Sequence, residues 1–304
     1  MTSPPGLPSM PEILGSTLYA TIAAAVLIHG ITKYMVGPTP DIRREGMDEI
    51  MDVVVGSAML AVLYALLLAP GTTFLPWLVH EVAGAVPIGN TTLVAYLPQN
   101  TTDPRSLLSW AYETAYRYFS AFTGWYTTFW GTVLVLSAIP QTAPLGWYAQ
   151  QATWYLQMMM TYTIVNLGLI YALNLIAYNS WWLLPLGVGL VIVRQTRSIG
   201  TFIIAFLTVV SILGPLLAAY TVAALQGPIH GLDAAINPQG VNNILNDLKD
   251  LPGILTTLLN QGYGPGLSMQ TYDVTVDVAL AMALAASYGL YRILDETIID
   301  VLPI

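Results

Sequence analysis

The sequence predicts an all-α, polytopic helical membrane protein, and three observations predict it. Only 9% of the 304 residues are charged and 55% are hydrophobic, with a mean hydropathy of +0.64, whereas soluble domains carry about 25% charge. Between Arg117 and Asp233 the only formal charges are Arg194 and Arg197. Two long apolar runs flank that pair, and a chain that crosses a bilayer must keep such runs neutral, because each central charge costs several kcal/mol. The reading is one helical membrane domain over 1–304, multi-pass in the plasma membrane, with about seven crossings of roughly 20 residues each. Its N-terminus lies outside and its C-terminus in the cytoplasm.

Composition also excludes several classes. The net charge of -8 comes from 17 acids and 9 bases, too few bases for tight binding of a polyanion by counterion release. With no cysteine, disulfides, iron–sulfur clusters and thiolate metal sites are ruled out. The 8 Trp and 18 Tyr suit the interfacial belts of a membrane protein.

Taken in order, a proline-rich tail leads into a first span over Ile13 to Met35, with Lys33, Arg43 and Arg44 at its end. Positive charge marks the cytoplasmic side. After Pro38 and Pro40, Asp41 is placed to cap a short amphipathic segment from Ile42 to Asp52, which leads into a second span over Val53 to Ala69. Residues 72–105 read as a polar outer loop with two glycosylation sequons, at Asn90 and Asn100, although both asparagines also suit plain turns. Trp77 to Val86 fits the membrane surface. Asp103-Pro104 is a strong helix start, opening an aromatic third span whose Glu113 and Arg117 stand at ion-pair spacing.

A fourth span over Trp147 to Tyr178 carries Gln150, Gln157, Asn166 and Asn174, amides that either join helices or line an aqueous path. Asn179 to Trp182 reads as an outer turn. Leu183 to Val193 then returns toward the cytoplasm, interrupted by Pro185 and Gly187, and at about 16 Å it is too short to cross alone. Arg194, Thr196 and Arg197 form a cytoplasmic turn. The next span, Thr201 to Leu225, contains the helix break Gly214-Pro215. Residues 226–272 read as a second outer loop with an amphipathic helix from Val241 to Leu259, and Asp273 to Leu294 forms the last span.

Known catalytic signatures are missing. His80-Glu81 lacks the second histidine of a zinc protease, since position 84 is Gly. There is no phosphate-binding glycine loop and no serine-nucleophile elbow. The expectation is a non-enzymatic protein without cofactor or metal; if it moves something against a gradient, a separate ATPase or an ion gradient supplies the energy.

One stretch carries a resemblance. Leu184-Pro185-Leu186-Gly187, then Val193-Arg194, Thr196-Arg197-Ser198-Ile199-Gly200 and Gly214-Pro215, resembles the CedA family of membrane proteins from the crenarchaeal DNA-import (Ced) system. That family is itself similar to the polytopic inner-membrane subunit of type IV secretion. The resemblance spans about 30 residues and departs from the family pattern at Gln195-Thr196. It implies an archaeal, oligomeric channel or platform subunit for DNA transfer, working with a HerA-type ATPase and small hydrophobic pilins, with DNA as a weakly bound cargo. A neutral, polar wall passes a polyanion more readily than a basic one. A secondary transporter with its site at the broken 183–193 segment, and a pore-less structural subunit, are the alternatives.

Overall fold

The structure, a computed structural model, describes residues 10–69, 73–99, 101–138, 140–141, 143–152, 154–235 and 251–301. Nearly all of them are helical. Sequon Asn100 and the first part of the amphipathic segment, 241–250, lie outside the described residues. Among the described residues five helices are long and apolar enough to cross a membrane: Thr17–Val36, Pro40–Leu67, Trp154–Tyr178, Arg194–Gln226 and Leu267–Glu296.

Helices α1 (Met10–Val36) and α2 (Pro40–Leu67) form an antiparallel hairpin. Thr39 is the cap, its Oγ1 accepting from Ile42 N at 3.4 Å with Pro40 opening the first turn; Asp41 sits inside that turn and adds only its charge. With no proline after Pro40, the expected amphipathic segment and second span are one unbroken helix. Gly30 and Gly46 let the two backbones touch: a Cβ on Gly46 would lie 2.5 Å from Gly30 O.

The segment read as a polar loop is built and partly core. Helix α3 (Phe74–Ala85) buries Leu75, Val79 and Ala83 at helical spacing. A two-residue hairpin follows, β1 (Pro87–Ile88) and β2 (Thr91–Thr92), turning through Gly89 at φ +58° and an exposed Asn90. A 3-10 turn over Leu93–Tyr96 buries Leu93. Together they pack on Leu207, Val210 and Ala219, partway along the long helix that spans Arg197–Ala235.

Helix α4 (Pro104–Ala138) starts as predicted, with Ser106 N donating to Asp103 Oδ2 at 3.3 Å. The expected Glu113–Arg117 pair is not formed; Glu113 instead accepts from Ser109 Oγ at 3.2 Å. Helices α5 (Ala143–Ala152), α6 (Trp154–Tyr178), α7 (Ser180–Ile192), α8 (Arg197–Ala235) and α9 (Leu251–Val301) complete the chain. Of the residues read as a second outer loop, those to Ala235 belong to α8 and those from Leu251 to α9.

The largest departure from expectation is the direction of α7. Going from Asn174 in α6 to Gly187 in α7, the partners in α8 fall from Gly214 to Gly200. The chain therefore does not reverse at Asn179. It kinks there, with Leu183 N still bonded to Asn179 O at 3.3 Å, and α6 and α7 form one interrupted column antiparallel to α8. Likewise α2 ends and α4 begins at one place, where Tyr64 meets the Trp181 ring edge-on at 5.4 Å and Arg105 Cζ lies 4.3 Å above it. From there α4 runs on alongside α6: Tyr112 stacks on Tyr178, Phe119 on Tyr171.

The result is a molecule with two halves sharing α8 and α9. α1 and α2 pack on α7, which covers the first half of α8 around Val188, Val191 and Ile204. α4 and α6 cover the second half, around Phe122, Leu167, Leu217 and Tyr272. At 39 residues, α8 is about 58 Å long, nearly twice the roughly 30 Å hydrocarbon core of a bilayer.

Candidate functional site

Arg194 and Arg197 lie in a turn between two helices, Arg194 in the 3-10 turn Arg194–Thr196 and Arg197 as the first residue of α8. Thr196 ties the turn shut, its Oγ1 donating to Leu190 O at 2.9 Å. The structure adds their partners. Arg197 Nη2 lies 3.0 Å from Asp52 Oδ2, Arg194 Nε 3.4 Å from the same oxygen, and Arg194 Nη2 3.3 Å from Asp48 Oδ2. Two guanidinium groups thus meet two carboxylates, and Asp52 is only 2% exposed. A neutral set of this kind is how charge is accommodated inside a membrane protein. Both arginines are engaged within the fold, which clamps α2 to the α7–α8 turn.

The clamp lies well inside the α1–α2 hairpin. Asp52 is twelve residues into α2, about 18 Å from its start, and the hairpin tip projects past the arginine turn by that distance. On the tip, Lys33 Nζ reaches Glu45 at 3.1 Å and Glu49 at 2.8 Å, and His29 Nδ1 lies 2.8 Å from Glu49. His29 thus joins α1 to α2 across the hairpin.

A second polar site joins α6 to α9. Asp273, also 2% exposed, accepts from Thr163 Oγ1 at 2.9 Å and from Asn166 Nδ2 at 3.1 Å. One turn along, Asp277 accepts from Tyr162 OH at 2.9 Å, and Tyr155 OH donates to Gln270 at 3.1 Å. Behind this seam Tyr272 OH lies 3.0 Å from Thr221 Oγ1. Among the described residues no cation lies within ion-pair distance of Asp273, so its partners are neutral donors only. Asp273→Ala leaves Thr163 and Asn166 buried without their acceptor, and the expected loss is about 1–3 kcal/mol for each unsatisfied group. Detergent unfolding followed by tryptophan fluorescence measures it, with Asp277→Ala, at the exposed edge, costing less than about 1 kcal/mol.

The four predicted amides divide. Asn166 binds Asp273; Asn174 is buried against Gly214, its Nδ2 donating to Ile170 O at 2.9 Å; Gln157 is buried; Gln150 is exposed on α5. They do not form one wall. Pro185 is accommodated within α7 and Gly214-Pro215 within α8, which continues as helix through both residues. Gly187 faces Gly200, where the backbones of α7 and α8 approach closely: a Cβ on Gly200 would lie 2.5 Å from Gly187 O. Among the described residues no group of three or more His, Asp or Glu could hold a metal ion.

Comparison with known proteins adds no family. No family model, curated protein or solved structure matches this chain.

Proposed function

We propose that the chain is a non-enzymatic subunit of a multi-copy membrane assembly and, on the resemblance of its 184–215 stretch, of a DNA-transfer apparatus. What supports the assembly is one observation, the height of its exposed apolar surface. Met35 and Val36 are exposed at the hairpin tip, Val274, Val278 and Met282 on α9, and Met158, Val165 and Leu169 on α6. Since α6 covers the far half of α8 and the tip projects beyond its near end, this surface extends over about 60 Å along the helices. Lipid tails cover about 30 Å of it. The remainder calls for protein, and identical copies or small hydrophobic pilins would supply it.

In this reading the arginine turn fixes the helices and leaves phosphate to weak contacts, with a HerA-type ATPase supplying the energy. The N-terminus lies outside, the C-terminus inside. Counting copies by mass photometry after extraction into nanodiscs tests the proposal: a defined oligomer is expected, and a stable monomer at all protein concentrations would overturn it. Cells lacking the chain are expected to lose DNA transfer. The orientation has its own check, because an outer Asn90 presents an exposed sequon; Asn90→Gln should remove one glycan mass, and an unglycosylated native chain would give no such shift.

The buried Asp273, with no cationic partner among the described residues, favours a second reading, a transporter coupled to an ion. This reading places the bilayer around α6 and the seam instead of around α1, because an acid without a cationic partner inside a bilayer marks an ion pathway. A solute that raises the melting point of the monomer would favour it over the assembly.

A further inference from the structure

The joint between α1 and α2 carries a basic cleft that the clamp and the seam leave unused. Its walls are Tyr34, Pro38, Pro40, Arg43, Arg44 and Met47, enclosing an open space of about 510 Å³. Of the nearby acids, Glu45 and Glu49 are committed to Lys33 and Asp48 and Asp52 to the arginine turn; Asp41, exposed in the first turn of α2, lies beside the cleft without pairing to either of its arginines. Arg43 donates from Nε to Gly37 O at 3.0 Å, which holds the guanidinium at the end of α1. Neither Arg43 nor Arg44 lies within ion-pair distance of a carboxylate among the described residues.

The surroundings are apolar. Met35 and Val36, the last two residues of α1, are 72% and 74% exposed, and Tyr34 and Met47 in the cleft wall are 50% exposed. Val36 also closes the apolar stretch Thr17–Val36, whose 20 residues rise about 30 Å, the depth of one hydrocarbon core. Lipid tails around α1 would therefore end level with the two arginines. Two guanidinium groups above exposed apolar side chains match a phosphate carried on acyl chains; paired arginines bind phosphate by charge-assisted hydrogen bonds, and basic pockets between membrane helices take anionic headgroups.

We propose that the Tyr34–Arg43–Arg44–Met47 cleft binds the phosphate headgroup of an anionic phospholipid. The phosphate sits between the Arg43 and Arg44 guanidinium groups, and the glycerol and first methylenes lie on Met47, Tyr34 and Val36. The bound lipid ties the tip of the α1–α2 hairpin to the membrane surface.

Thermal melts of the full chain in dodecyl maltoside test this with three additives: dioctanoyl phosphatidylglycerol, dioctanoyl phosphatidylcholine and inorganic phosphate. Phosphatidylglycerol is expected to raise the midpoint by several degrees, phosphatidylcholine and inorganic phosphate by much less. Arg44→Gln, an exposed substitution that removes no hydrogen bond or ion pair among the described residues, should keep the untreated midpoint and lose most of the shift, and Arg43→Gln/Arg44→Gln should lose all of it. Equal shifts with the two lipids, or a shift that survives in Arg44→Gln, would overturn the proposal. A phosphate shift as large as that of phosphatidylglycerol would overturn the lipid as ligand and assign the cleft to a soluble phosphate.

Discussion

Asp52→Ala is expected to destabilise the protein by about 3–5 kcal/mol, the cost of leaving a buried charge unpaired. Asp52 Oδ2 is shared by both arginines of the turn, at 3.0 and 3.4 Å, so among the described residues one truncation strips Arg197 of its one carboxylate partner and leaves Arg194 with Asp48. With Arg197 only 12% exposed, water cannot replace the lost partner. The transition from folded to unfolded in mixed micelles of rising SDS content reads the loss. Removing both charges, as Asp52→Leu/Arg197→Met, should recover much of it, because an apolar replacement of a buried pair is often nearly neutral. If the double variant is as unstable as Asp52→Ala, the cost comes from packing and the ion pairs are not the clamp.

Gly200→Val is expected to cost about 1–3 kcal/mol, the range for overpacking a tight site. A Cβ at this position would lie 2.5 Å from Gly187 O, 2.6 Å from Val191 N and 2.9 Å from Leu190 C. All three are backbone atoms that no rotamer change can move, so α7 must separate from α8. The arginine turn sits at the end of this contact and would shift with it. Gly84→Ala in α3, where a Cβ meets nothing within 4 Å, should instead stabilise by up to about 1 kcal/mol through helix propensity. The same SDS titration compares the two, and equal effects from both glycines would remove close backbone approach as the reason for Gly200.

Local chemistry was legible in the sequence wherever a residue acts on its neighbours. Asp103-Pro104 opens α4 because the cap and the missing N–H act within one turn, and the scarcity of charge announces the membrane before any element is placed. Partners far along the chain were not legible. Asp52 stands 142 residues from Arg194, and nothing near either residue signals the other. Asn179 resembles a reversal because a polar residue between apolar runs usually marks one, yet the packing of Gly187 on Gly200 carries α7 onward in the direction of α6. Leu75, Val79 and Ala83 had helical spacing inside the stretch read as a polar loop, a signal outweighed by the surrounding Gly, Pro, Asn and Thr. Glu113 and Arg117 had ion-pair spacing, but an exposed pair gains little over water, and Glu113 bonds Ser109 instead. Asp273 was read only as the start of the last span; its neutral partners, Thr163 and Asn166, lie more than a hundred residues away on α6.

The account rests on α6 and α7 forming a single column, which puts Trp154 and Val36 at opposite ends of the molecule. The native chain contains no cysteine, so spin labels can be attached at Val36→Cys and Trp154→Cys, both exposed positions, and their separation measured by pulsed electron resonance in nanodiscs. A distance of about 60 Å or more, from the rise of the stacked helices, is the predicted result. A distance below about 40 Å, as expected if α6 and α7 were an antiparallel hairpin with Trp154 on the same face of the bilayer as Val36, would contradict it.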